Sequence, residues 1–239
     1  MESFHAFVLN SIDYKESSKI LYLYTEQGNI SVIAHGVKKL NSIKRFLSQN
    51  GNLIELTTSK GNFPILKDGA LIEEYENIKK DIVKYSYMNH IMELVQHVIS
   101  DDLDHKKMFQ FLKKLFVQMN QTSQPDILSF IFELKLLYFV GYGLNLATCH
   151  ICNDNENLVF HVSNGGLVCE KHLEFKQERY DEGIYSFIKT LYYIDLDKEK
   201  LPEIDKPIKT IIRHIIDMLY DEFISFKTKS REILKQIEK

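Results

Sequence analysis

All three cysteines of the 239-residue chain lie in one short stretch, TCHICNDNENLVFHVSNGGLVCEKH, at residues 148–172. Their spacing is C-x2-C, then sixteen residues, then C-x2-H, which singles out Cys149, Cys152, Cys169 and His172. Each x2 turn lets two side chains reach one ion at about 2.0 to 2.3 Å in a tetrahedral arrangement. Because four protein ligands leave no open position, we predict one structural Zn²⁺ ion.

Two other histidines could serve as ligands in place of His172. The alternative interpretation is that there is no metal site and that the three cysteines are simply buried, with the histidine on the surface. His150 lies between the paired cysteines, where a side chain normally points outward, and His161 lies in the insert. The insert itself is typical of a hairpin, with a strand at 158–162 and a turn at 163–166 before a short second strand. The two x2 spacings together favour the metal site, since chance seldom produces both.

Motifs of common metal-dependent and nucleotide-dependent enzymes are missing from the sequence. A nucleobase deaminase needs H-x-E upstream of a Pro-C-x-x-C, but no H-x-E precedes Cys149, and Thr148 stands at the proline position. There is no HExxH and no P-loop, and the G-x-G at Gly141 and Gly143 has Leu146 where a third glycine is required. The sequence therefore favours a structural zinc ion over a catalytic one and offers no motif that would hold the phosphates of a nucleotide.

Composition favours a folded chain without a membrane segment. Hydrophobic residues make up 44% of the sequence, enough for the core of one large domain or two modest ones. The beginning, MESFHAFVLN, lacks the features of a signal peptide, and no later stretch approaches the roughly 18 to 20 uncharged apolar residues that span a bilayer. We expect a cytoplasmic protein with reduced thiols, because three cysteines suit a disulfide framework poorly.

The sequence pattern changes near residue 78 from one typical of β-strands to one typical of helices. Five earlier runs are rich in β-branched, aromatic and leucine residues and are separated by Gly, Asn and Asp turns. These runs are FHAFVLNSIDY, SSKILYLYTEQG, ISVIAHGV, GNLIELTTSKG and ALIEEY. Five short strands suit a small barrel, so we predict an α+β fold with domains at 1–78 and 79–239 and a zinc finger at 145–175.

Four helices are predicted in the part of the chain after residue 78. Apolar stripes at helical spacing begin at Met88 and at Met108. Pro125 opens a third helix that ends near Gly141, and Pro207 opens a fourth. We interpret the stripes as the core of a helical body.

Positive charge is concentrated at residues 36–67, although the formal net charge of the chain is −3. One acid, Glu55, stands there against six cations: Lys38, Lys39, Lys44, Arg45, Lys60 and Lys67. Such a patch can follow nucleic-acid phosphates, and Phe46 and Phe63 could stack on bases for about 1 to 3 kcal/mol each if exposed. A solvated lysine face over core phenylalanines explains the charge pattern equally well. A second basic candidate is the tail, with Lys227, Lys229, Arg231 and Lys235.

Three stretches of the sequence form a distinctive set. They are HAFVLNSIDYKESSKILYLYTEQG, the G-x-basic-basic-x-x-S element of HGVKKLNS, and FELKLLYFVGYGLNLATCHIC running into GGLVCEKH. Together they resemble the RecO family of bacterial recombination mediators, and the third stretch is the most specific because a G-x-G turn directly precedes the paired cysteines. The chain departs from the family in having His172 as fourth ligand, where Cys is frequent, and in lacking a proline after Lys44.

The resemblance implies an N-terminal five-stranded OB-fold barrel, a helical domain with an inserted zinc finger, and no reaction of its own. It also implies binding of single- and double-stranded DNA, annealing of complementary strands, and action with RecR to place RecA on DNA covered by single-stranded DNA-binding protein. That protein's acidic tail would dock in an apolar pocket edged by Lys or Arg on the helical body, and the chain would be nucleoid-associated. The alternative is a zinc-ribbon module that binds a protein and ignores DNA.

Overall fold

The computed structural model of the chain describes residues 3–39, 42–61, 63–173, 179–180 and 182–237. A five-stranded antiparallel sheet comes first and helices follow, so the predicted α+β class is confirmed. By its contacts the chain divides into two compact units, residues 1–125 with 228–239, and residues 126–227. The predicted domain division at residue 78 stays a prediction.

The sheet consists of β1 Phe4–Tyr14, β2 Ser18–Thr25, β3 Gly28–Ala34, β4 Leu53–Thr58 and β5 Leu66–Glu73. The strands are hydrogen-bonded in the order β3-β2-β1-β4-β5. In the described part of the chain, the edge strands approach at a single parallel bridge between Ile33 and Ile65, where the Ile33 N–H donates to the Pro64 carbonyl at 2.9 Å. The predicted barrel is therefore corrected to an OB-like sheet that is not closed.

Seven helices lie within the described residues: α1 Glu76–Lys80, α2 Ile82–Val98, α3 His105–Gln121, α4 Pro125–Phe139, α5 Glu182–Tyr193, α6 Lys206–Phe223 and α7 Lys229–Ile237. The four predicted helices correspond to α2, α3, α4 and α6, whereas the sequence analysis misses α1, α5 and α7. Among the described helices, none is both long enough and apolar enough to cross a bilayer.

Strand β1 is buried on both faces, which explains its unbroken apolar run AFVL. Ala6 and Val8 belong to the apolar cluster inside the sheet. Phe7 points to the opposite face, as the alternation of a strand requires. There its ring lies 5.1 Å from the ring of Phe109 and 5.6 Å from that of Phe116, both on α3. Helix α3 therefore covers the outer face of the sheet within the first unit.

Helix α7 is attached to α2 by its first turn. The Glu93 carboxylate accepts hydrogen bonds from the N–H groups of Lys229 and Ser230, both at 2.9 Å, and from the Ser230 hydroxyl at 2.6 Å. Burial alone would raise the pKa of Glu93, but the donors from Ser230 and Lys229 together hold it below its usual value. An anion at a helix N-terminus is stabilising, so Glu93 helps to hold α7 in place.

Helices α4 and α6 of the second unit share a buried ion pair. Both terminal nitrogens of Arg213 donate to the Glu133 carboxylate, at 2.6 and 2.8 Å, and both side chains are buried. The Tyr220 hydroxyl donates to the Glu133 carbonyl at 3.0 Å. Removal of one partner from such a pair leaves a buried charge without compensation. Glu133, which interrupts the longest apolar run of the sequence, is thus part of the packing between the two helices.

Candidate metal centre and nucleic-acid interface

The structure brings Cys149, Cys152, Cys169 and His172 into one group whose ligand atoms all lie within 4.8 Å of one another. The sulfurs of Cys152 and Cys169 are 3.7 Å apart, and His172 Nδ1 lies 3.3 Å from the Cys169 sulfur and 3.7 Å from the Cys149 sulfur. Tetrahedral zinc at the usual bond lengths separates two sulfurs by about 3.8 Å and a sulfur from a nitrogen by about 3.5 Å. The three thiols and the imidazole therefore fit a tetrahedral metal ion.

Two tight turns and a hairpin position these ligands. At the first pair, the Asn153 N–H donates to the Cys149 carbonyl at 2.9 Å, with Asn153 in the left-handed region at φ 61°. The second pair follows a hairpin of β6 Leu158–His161 and β7 Gly166–Cys169, so Cys169 ends a strand. His172 ends the 3-10 turn Glu170–His172. The predicted hairpin is therefore present, and it returns the chain to the first pair of cysteines.

The polar surroundings of Cys149 favour its thiolate form. Burial of the side chain acts to raise the pKa of its thiol, but the backbone N–H groups of Cys152, Cys169 and Ile151 point at the sulfur and bring the pKa down to about 6. A metal-bound cysteine is a thiolate. These backbone donors thus stabilise the charge state that a metal ion requires.

Close backbone contact at Gly166 anchors the hairpin. The Leu167 N–H donates to the Asn145 carbonyl at 2.8 Å, and the Asn145 N–H donates to the Gly165 carbonyl at 3.0 Å. A Cβ atom on Gly166 would lie 2.3 Å from the Asn145 oxygen. Only glycine permits this approach, so the G-G pair of the sequence serves the placement of the second cysteine–histidine pair.

The rival histidines lie outside the group. His150 is exposed, and its backbone N–H donates to the Leu167 carbonyl at 2.7 Å. His161 is buried, with 4% of its surface exposed, and is not among the grouped ligands. Within the described residues, neither ring nitrogen of His161 has a hydrogen-bond partner.

The six predicted DNA-binding cations fall into three settings. Lys38 and Arg45 line a cleft of about 740 Å³ in the first unit. Lys44 extends the other way and donates to the Lys67 carbonyl at 2.9 Å, at the start of β5. The remaining three, Lys39, Lys60 and the side chain of Lys67, are exposed. The 3-10 turn Ile43–Ser48 therefore carries cations toward both the cleft and the edge strand.

Two lysines that were not predicted as DNA contacts also line this cleft. Lys19 on β2 and Lys79 on α1 line it together with Lys38, Arg45, Gln49 and Tyr85, and we call this site the basic cleft. Among its described lining residues there is no acid. Lys19 lies in a strand-like run and Lys79 in a short helix, so no local pattern indicates that the two converge.

An acid at the rim partly neutralises the cleft. Asp13 accepts a hydrogen bond from the Lys38 ammonium at 2.7 Å. The hydrogen bond from Lys38 lowers the pKa of Asp13, with further attraction from Lys38 and Lys19. Asp13 is thus ionised at neutral pH.

Both predicted stacking residues are on the surface. The Phe63 side chain is 81% exposed and that of Phe46 is 52% exposed. The alternative interpretation, in which these phenylalanines belong to the core, is therefore wrong.

The second basic candidate, the tail, has positive charges that are partly neutralised by neighbouring acids. Lys227 pairs with Asp221 at 3.0 Å, and Lys235 pairs with Glu232 at 2.8 Å.

Comparison with known proteins covers the length of the chain. The family model described as Recombination protein O N terminal matches residues 1–75, and the model described as Recombination protein O C terminal matches residues 79–232. The chain is 29% identical to the DNA repair protein RecO of Bacillus cytotoxicus and 28% identical to those of Bacillus cereus and Bacillus anthracis. Each alignment covers 97% of this chain and 96% of the relative.

Proposed function

The chain belongs to the recombination protein O (RecO) family, a family of DNA repair and recombination, and from this premise we propose that it is a DNA-binding recombination mediator. In this role it anneals complementary strands and, with RecR, helps to load RecA on DNA coated by single-stranded DNA-binding protein. The observation that carries the proposal is the match of both family models, which together cover the N-terminal sheet and the helices that follow.

The geometry of the first unit supports DNA binding. An OB-like sheet frequently serves as a nucleic-acid platform. Here the segment between β3 and β4 carries cations into a cleft without acidic lining, and exposed Phe63 lies on the connection between β4 and β5. Cations that neutralise phosphates release condensed counterions, and exposed rings stack on bases. These features suit sequence-independent binding of DNA.

The proposal extends to the metal centre and to the absence of a reaction. One Zn²⁺ ion would be held by Cys149, Cys152, Cys169 and His172, and the ion would supply structural cross-linking of the two turns. With four protein ligands, no position remains for a substrate or an activated water. We therefore assign the protein no enzymatic activity of its own.

The test is DNA binding and annealing by the full chain. Fluorescence anisotropy with labelled single- and double-stranded oligonucleotides, over a series of salt concentrations, should give affinities that fall as salt rises. Mixing two complementary labelled strands should give faster annealing with the protein than without it. The alternative, a zinc-ribbon module that binds only a protein, predicts no DNA binding even at low salt.

The partner assignments need a separate measurement. Co-sedimentation of the chain with RecR, and with single-stranded DNA-binding protein with and without its acidic tail, tests the mediator role. Binding to the tailed form alone supports docking of that tail on the helical body. Binding to neither partner would leave an annealing protein and would contradict the mediator role. In cells, a mediator of this kind would be found with the nucleoid in the cytoplasm.

A further inference from the structure

We propose that the basic cleft seats one phosphodiester group and the adjoining unpaired nucleotide of single-stranded DNA, with Lys19 and Lys79 as phosphate contacts. This inference rests on the proposed function and names a specific site for it. The two lysines lie outside the basic sequence stretch 36–67 and enter the cleft from β2 and α1.

The cleft has the size and composition of a nucleotide site. Its volume of about 740 Å³ lies within the range of small-molecule pockets, roughly 300 to 1,000 Å³. Four cations line it, Lys19, Lys38, Arg45 and Lys79, and its described lining includes no acid. A concentration of cations on concave walls focuses the electrostatic potential and attracts an anion. Phosphate is the anion that matches the DNA-binding role of the chain.

Lys19 and Lys79 are held half-buried without an ion pair among the described residues. Lys19 donates to the Ser11 hydroxyl at 3.2 Å, and Lys79 donates to the Asn52 side-chain oxygen. Burial lowers the pKa of Lys79, while Glu74 opposes this shift. A half-buried ammonium lacks part of its hydration, and a phosphate oxygen would replace it with a charge-assisted hydrogen bond.

Asn52 links Lys79 to the turn that carries Arg45. The buried Asn52 amide donates to the Phe46 carbonyl at 2.6 Å, while its oxygen accepts from Lys79. This bridge connects α1 to the turn Ile43–Ser48, and both contribute lining residues to the cleft. A pre-ordered site loses less conformational entropy on binding than a set of mobile surface lysines does.

Single-stranded DNA fits the cleft better than a duplex does. Tyr85, on the first turn of α2, lines the cleft beside the cations, and aromatic rings stack on unpaired bases irrespective of sequence. In a duplex, the bases are paired and stacked, and the phosphates lie on a convex surface that cannot enter a concavity of this size. The cleft therefore favours a splayed nucleotide, and binding of a duplex by the protein would use other cations.

The first test replaces the two lysines and measures binding of a single-stranded oligonucleotide by anisotropy. In Lys19→Gln/Lys79→Gln, the amides retain hydrogen bonding toward Ser11 and Asn52. Because both lysines contact the same phosphodiester group, the slope of log affinity against log salt should fall by about 0.7, and affinity at 0.1 M salt should fall roughly fivefold. The control Lys80→Gln/Lys84→Gln removes equal charge from α1 and α2 outside the cleft and should retain nearly wild-type affinity.

The outcomes separate the cleft from the proposed function. If the wild type fails to bind DNA at all, the proposed function fails. If the wild type binds and the two double variants lose affinity equally, binding follows net charge and the cleft assignment is wrong. An equal loss of affinity for single strands and for a duplex would also overturn the assignment to an unpaired nucleotide. Thermal unfolding of each variant checks that the fold is retained.

A second variant tests the cleft by a gain of affinity and does not disturb its walls. Asp13 holds Lys38 and repels a phosphate, so Asp13→Asn should tighten single-strand binding about two- to fivefold at low salt. The control Asp101→Asn removes the same charge after the far end of α2 and should change affinity less. If Asp13→Asn binds no more tightly than Asp101→Asn does, a negative charge beside the cleft does not affect binding, and the proposed phosphate site is contradicted.

Discussion

The metal centre and the basic cleft reach their chemistry in different ways. The four candidate metal ligands come from two tetrapeptides, 149–152 and 169–172, joined by one hairpin. The cations of the cleft come from β2, the segment after β3, and α1. A chelate needs short, fixed distances that local turns can provide, whereas an electrostatic surface needs only proximity, which tertiary packing provides. A metal centre of this kind can therefore be recognised from residue spacing in the sequence, whereas only some of the residues of a basic cleft can be recognised in that way.

The two regions also differ in how much binding is lost when one residue is replaced. A metal ion is lost when one of its ligands is lost, and with it the cross-link between both turns. A surface of cations loses roughly one phosphate contact for each residue removed. We therefore expect large cooperative effects at the metal centre and smaller, nearly additive ones on the DNA surface.

The largest effect is expected from Cys169→Ala. The variant removes a buried ligand that lies next to His172 and Cys152, so metal should be lost and stability should fall by several kcal/mol. This is less than the order of 10 kcal/mol found in isolated zinc fingers, because the rest of the second unit supports the hairpin. Metal analysis and thermal unfolding are the measurements. His150→Ala, an exposed control, should keep one zinc per chain; a zinc-loaded Cys169→Ala would contradict the ligand assignment.

Gly166→Ala should have the next largest effect. The added Cβ would lie 2.3 Å from the Asn145 oxygen, so the backbone must separate and the hairpin must move. We expect a loss of about 2 to 4 kcal/mol in the free energy of unfolding, measured by denaturant titration, and weaker metal retention against a chelator. In the matched control Gly143→Ala, the new Cβ meets only side-chain atoms at 3.6 Å. Equal stability of the two variants would show that the close approach at Gly166 is unimportant.

Phe63→Ala tests whether the DNA surface includes stacking as well as charge. The ring is 81% exposed, so its removal should leave the unfolding temperature unchanged. Affinity for single strands should fall by about 1 to 3 kcal/mol of binding free energy, with no change in the salt slope. Phe63→Tyr retains a ring and should bind like the wild type. Unaltered affinity in the alanine variant would exclude Phe63 from the interface.

The smallest effect is expected from Lys60→Gln, which removes one exposed cation between β4 and β5. One lost phosphate contact should lower the salt slope by about 0.7 on single strands and reduce affinity about fivefold at 0.1 M salt. Lys106→Gln on α3 is the control for net charge alone. If the two variants have the same slope, the DNA path is confined to other cations.

The fold was predictable where hydrophobic periodicity is strong. The helices α2, α3, α4 and α6 follow a period of 3.6 residues, and the strands are runs of β-branched, aromatic and leucine residues between turns; both signals depend on local sequence. Helix α5, EGIYSFIKTLYY, is rich in aromatic and β-branched residues, and such a composition does not indicate a helix. Helix α7 has only nine residues and is marginal alone. It forms where Glu93 of α2 accepts hydrogen bonds from its first turn.

The sequence also did not indicate whether the sheet closes into a barrel. Five strand-like runs indicate a small sheet, but closure depends on whether β3 and β5 pair along their length. In the structure they share the bridge at Ile33 and Ile65. Pairing between distant strands reflects twist and packing of the whole sheet rather than the composition of either strand.

Local sequence is sufficient to specify the grouping of the four candidate metal ligands, because two x2 turns and a glycine-containing hairpin restrict where their side chains can lie. It also indicates that the segment after β3 is basic. Only tertiary packing decides that Lys38 and Arg45 share a cleft with Lys19 and Lys79 while Lys39 and Lys60 do not. The physical reason is range: coordination bonds act over about 2 Å between neighbours in the chain, whereas electrostatic attraction acts over several ångströms between residues that only the fold brings together.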